Sequence, residues 1–132
     1  MTGLEILIKA HAGLRWVVLA LIIVGIARAA WGWLGSPSYG KFDRVWGAVS
    51  SGVIDLQILL GVLIFFLIDT ALRPSWWHPA LMLLAAVSVH GGAIVARRAT
   101  EDRRKHYAHL LAYLVSLLLI LLGVYAVRGS LF

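Results

Sequence analysis

No cysteine occurs among the 132 residues. Its absence excludes disulfides, iron–sulfur clusters, thiolate zinc sites and covalent c-type haem attachment through C-x-x-C-H. Charge is also sparse: only 14% of residues are Asp, Glu, Lys or Arg, and the acidic ones number six against twelve Lys and Arg. The chain has no hydrolase nucleophile with a plausible base, no Gly-rich loop to cradle a phosphate and no soluble catalytic domain, so independent catalysis is not expected. Internal repeats and low-complexity linkers are missing as well. The net charge of +6 and pI near 10.3 would raise the question of nucleic acid in a soluble domain. Here the basic residues sit between apolar runs, with no aromatic-studded polar surface to hold bases, so nucleic acid is not an expected partner.

What is present is apolar. Hydrophobic residues make up 61% of the chain and the mean hydropathy is +0.90, more apolar surface than a domain of this length could bury in its own core. Four segments of membrane-spanning length follow one another, at roughly 4–34, 45–68, 77–96 and 107–127. Gly, Pro, Ser and charge gather in the connections GSPSYGKFDR (35–44), DTALRPSW (69–76) and RRATEDRRKH (97–106), as loops require. Short connections between long helices favour antiparallel neighbours. The reading is all-α: one domain over 1–132, an integral membrane four-helix bundle running up-down-up-down. The start MTGLEILIKA has no basic n-region, so the first span is expected to be retained although AHA at 10–12 resembles a cleavage triplet.

Arg28, Lys41, Arg44, Arg97, Arg98, Arg103, Arg104 and Lys105 fall at one membrane face, and Lys9, Arg73 and Arg128 at the other. The positive-inside rule makes the first face cytoplasmic and puts both termini outside, in the orientation of a multi-pass protein of a bacterial inner membrane. With Arg28, Arg44, Arg97 and Arg104 marking the inner boundary, a rise of ~1.5 Å per residue gives each polar residue a height. His11 comes out roughly 25 Å up and His78 about 28 Å, Arg15 near 20 Å, Asp55 near 16 Å, His90 at about 10 Å and His109 at about 7 Å.

Bare charges at mid-depth cost at least a few kcal/mol, so Arg15 and Asp55, on sequential helices, are expected to turn inward and meet. Such a pair could be purely structural; alternatively Arg15 holds an anionic group of a ligand, or Asp55 and Gln57 serve a proton path. His11 and His78 share a level on helices that a four-helix ring places diagonally, as two axial ligands of a haem iron on the bundle axis require. Gly13 beside His11 would relieve crowding near a macrocycle, and Met82, one turn after His78, is a substitute ligand or simple packing. The plainer readings are a snorkelling His11 and a His78 that merely opens its helix before Pro79. His90 and His109 could hold a second haem, and His106, beside Arg103, Arg104 and Lys105, reads as solvated.

HAGLRW (11–16), KFDR (41–44), DLQILLG (55–61), WWHPALM (76–82) and KH (105–106) together resemble the small four-helix bacterial membrane proteins often labelled cytochrome b. The resemblance covers most of the chain. It implies haem b, electron exchange with a quinol or redox protein, and roles for His11, Arg15, Asp55, Gln57, His78 and His106. His90 does not match a family histidine, and Trp77 stands where members often carry an acidic residue before the histidine of the third helix. The expectation is therefore a b-type electron carrier or redox-complex subunit, with a quinone as a further cofactor and membrane lipid, partner subunits or a second copy as partners. The competing class is a cofactor-free accessory subunit of a larger respiratory or photosynthetic complex, whose small-residue patches such as Gly91 and Gly92 bind neighbouring helices. A small ion or metal transporter using His11, His78 and Asp55 lacks a ladder of ligands across the membrane.

Overall fold

The computed structural model describes residues 1–35 and 38–128. Four helices account for nearly all of them: α1 (Gly3–Gly35), α2 (Lys41–Leu67), α3 (Trp77–Arg98) and α4 (Asp102–Arg128). Each is long and apolar enough to cross a membrane. Even α3, the shortest at 22 residues, rises about 33 Å against a hydrocarbon layer of ~30 Å.

The helices match the expected spans, but α2 and α4 begin earlier and absorb charge assigned to the loops. In α2 the carboxylate of Asp43 reaches back to accept the Gly40 N–H at 2.9 Å, satisfying a donor that the helix start would leave open. Asp102 opens α4 with a negative charge at its positive dipole end. Lys105 then donates to the Ala96 carbonyl at 2.8 Å, tying the first turns of α4 to the last turn of α3. Pro79 lies in the first turn of α3, where its missing N–H is harmless. Between α2 and α3 the chain makes a single 3-10 turn (Thr70–Leu72), with the Asp69 side chain accepting the Ala71 N–H at 3.0 Å. Of the expected loop 35–44, positions 36–37 lie outside the described residues.

Helix α3 packs on α4, α4 on α1, α1 on α2 and α2 back on α3, a ring that leaves α1 across from α3. Val18 and Ile22 of α1, Ile54 of α2, Ala85 and Val89 of α3 and Ile120 of α4 meet inside it. Gly92 sits directly against the Cβ of Ala112, which brings the α3 and α4 backbones close, as expected where association rests on van der Waals packing. Large apolar side chains such as Val24, Leu59, Leu83 and Leu118 point away from the bundle.

Candidate functional site

Polar residues collect at two levels of the bundle. At the first, the end of α1 meets the starts of α2 and α4. Asp43, 7% exposed, accepts from Arg28 Nε at 2.9 Å and Arg28 Nη2 at 3.2 Å, and its Oδ1 lies 3.9 Å from His106 Nδ1. The His106 ring fills the space that a side chain on Gly32 would take, and the Tyr113 ring lies over Gly25 in the same way. His109 rests on Gly47 of α2, where a Cβ would stand 2.9 Å from His109 Cε1. Its Nε2 is 2.7 Å from the Tyr39 hydroxyl, and the two rings stack at 5.6 Å. Burial, reinforced by the negative charge of Asp43, raises the pKa of Tyr39. A space of about 10 Å³ remains between Asp43, His106, His109 and Tyr113, enough for one water. Tyr39→Phe should lower stability by about 1 kcal/mol, read from thermal unfolding in detergent, because His109 Nε2 loses its hydrogen-bond partner.

His106 is 1% exposed rather than solvated. The basic run that suggested solvation continues as helix, and helical geometry turns His106 inward while Arg103 and Arg104 face out. The small residues Gly25, Ala29 and Gly32, recurring on one face of α1, were the signal in the sequence that large rings from another helix dock there.

The second level carries the residues expected to hold haem. His11 comes from α1 and lies against Gly61 of α2, where a Cβ would stand 3.0 Å from His11 Cε1. Gln57, one turn before Gly61, donates from Nε2 to the His11 carbonyl at 2.8 Å. His78 comes from α3 and lies against Gly123 of α4, with Nδ1 2.9 Å from the Gly123 carbonyl. A carbonyl can only accept, so Nδ1 carries a proton and Nε2 is the nitrogen left outside that bond. The Met82 methyl packs on the same glycine. His11 Nδ1, Arg15 Nε and Gln57 Oε1 are buried here without a hydrogen-bond partner among the described residues.

Two expectations are corrected. Asp55 does not meet Arg15: both its oxygens take His90 Nε2, at 2.9 and 3.0 Å, and the Arg15 guanidinium lies 5.0 Å from the Trp16 ring centroid. The two side chains leave their helices toward different partners. His90 and His109 do not form a second pair, because His90 faces out of the α2–α3 seam while His109 is 5% exposed against α2. The glycine that admits the His11 ring is Gly61, and Gly13 faces open space, as room for a neighbouring group beside His11 would require.

The second level thus offers two imidazoles from opposite helices and unused donors and acceptors beside them. The first is an internally satisfied network around one carboxylate. Among the described residues no group of three or more His, Asp or Glu converges to hold a metal ion. No protein-family model, curated protein or solved structure matches this chain.

Proposed function

We propose that the chain is a b-type cytochrome-like electron-transfer protein, inserted up-down-up-down in a bacterial inner membrane with both termini outside. His11 and His78 would hold the iron of a bound haem. The reading rests on one observation: the polar side chains left unsatisfied around His11 are those a haem would need. His11 Nδ1 is buried without a partner, and Arg15 Nε, one turn along the same helix, is a buried donor with no acceptor. Leaving such groups unpaired costs about 1–3 kcal/mol each, so a ligand that engages them is favoured. His78 is oriented by the Gly123 carbonyl, the arrangement that fixes an imidazole for iron through its other nitrogen. Gly61 and Gly123 give both rings room against their neighbours. Bound haem would supply a one-electron couple. Arg15 supplies a positive charge for a propionate, which Asp55, engaged with His90, does not neutralise.

The test is a dithionite-reduced minus oxidised spectrum with a pyridine haemochrome assay, on protein expressed with ample haem. A low-spin b-type spectrum is expected from the wild type, with loss of most of the haem in both His11→Ala and His78→Ala. A colourless wild type would remove the proposal and leave the accessory-subunit reading. A spectrum that survives in His11→Ala would mean that Met82 or another side chain ligates in its place.

A further inference from the structure

Arg28 is shared between two spaces. On its inner side Nε and Nη2 hold Asp43, at 2.9 and 3.2 Å. On its outer side the same residue borders an open groove of about 470 Å³ between α1 and α2, lined also by Val24, Ala27, Trp31 and Phe42. Val24, Ala27, Arg28 and Trp31 recur at the spacing of one helix face, so the groove runs about 10 Å along α1. Its volume lies in the range that holds a small ligand.

The aromatic walls are fixed from behind. The Arg28 guanidinium lies 5.2 Å from the Trp31 ring centroid. Phe42 stacks on Trp46 at 5.4 Å, and Trp46 Nε1 donates to the Leu21 carbonyl of α1 at 2.9 Å. Yet Trp31 and Phe42 stay 63% and 52% exposed.

Charge at this corner has one outward sign. Lys41 and Arg44, in the first turn of α2 with Phe42, are exposed, and neither is ion-paired with any described residue. Asp43, the one acid of that turn, is buried and engaged with Arg28. The groove is therefore apolar along the helix and cationic at its end, with aromatic rings at the junction. That profile complements an anionic amphiphile of the bilayer. A second copy docked by a two-fold axis would bring like charges together, and a zwitterionic headgroup would carry its own cation to the same place.

We propose that this groove binds one anionic phospholipid, with its phosphate drawn to the cations at the Arg28 end and an acyl chain laid along Val24 and Ala27. The site rests on the membrane-spanning part of the reading above and not on haem. It lies about 25 Å along α1 from His11, so lipid binding is read on preparations with and without haem.

The experiment is native mass spectrometry of the full chain released from detergent micelles, titrated with phosphatidylglycerol, with phosphatidylcholine of the same acyl chains, and with inorganic phosphate. One phosphatidylglycerol should be retained roughly tenfold more tightly than phosphatidylcholine, as unpaired cations beside a phosphate imply. Ala27→Leu fills the groove without altering a charge and should remove that preference. The double variant Lys41→Gln/Arg44→Gln changes only exposed side chains and should bring the two lipids to within about twofold of each other. Arg28 stays intact in both, so Asp43 keeps its partner. Equal retention of the two lipids by the wild type, an unchanged preference in either variant, or displacement of the bound lipid by millimolar phosphate would each overturn the proposal. So would a lipid-free dimer that dissociates in Ala27→Leu, which would seat a second copy in the groove.

Discussion

Asp43→Leu should destabilise the protein more than any other single polar substitution, by about 3 kcal/mol or more, because it strips a buried carboxylate from partners that stay behind. Arg28 loses the acceptor of two hydrogen bonds, the Gly40 N–H at the start of α2 loses its cap, and His106 loses the charge 3.9 Å away. Buried ion pairs are poor sources of net stability but costly to halve. The double variant Arg28→Met/Asp43→Leu should therefore recover much of the loss. Thermal or denaturant unfolding in one detergent, followed by circular dichroism, compares the three proteins. If the double variant is as unstable as Asp43→Leu, the Arg28 pairing is not the cause. The damage would then belong to the helix cap or to His106.

Gly32→Ala should be comparably severe, from the addition of one methyl group. The His106 ring occupies the place of that methyl, and a ring only 1% exposed has nowhere to retreat. Overpacking of this kind costs about 1–3 kcal/mol, and the upper end is expected where the obstacle is rigid. Gly13→Ala is the internal control. It sits on the same helix with nothing near its missing side chain, so alanine should stabilise it by about 0.5–1 kcal/mol through helix propensity alone. Opposite signs for one chemical change on one helix can be read from two melting curves. Equal effects would mean that the α1–α4 contact is looser than described.

Hydropathy made the four helices legible because span length and apolar content are set by the bilayer and survive without knowledge of packing. The height ruler paired His11 with His78, and the helices that carry them stand across the ring. Direction around each helix was not legible. Arg15 and Asp55 have suitable heights but diverge, whereas Asp55 and His90, placed at different heights by the ruler, make the bond. Azimuth depends on which small residues let neighbouring backbones approach, and that is a property of helix pairs rather than of any one segment. The Asp43 network was hidden for a related reason. Asp43 and His106 lie in charged stretches that look like loops, and only the continuation of α2 and α4 through those stretches turns them inward. A search for acids near the height of Arg28 would have found Asp43; nothing comparable pointed to Tyr39.

Four of the five histidines are each housed by a glycine from a different helix: His11 by Gly61, His78 by Gly123, His106 by Gly32 and His109 by Gly47. Such a pairing works as a grammatical rule on the sequence. A related chain that keeps His106 must keep glycine at the matching position, because even a methyl would strike the ring, and one that loses the histidine is released to fill the gap. Each pair would drift through evolution as a unit, so the shape of this bundle could be recognised in distant sequences by four linked positions long after their hydrophobic text had been rewritten.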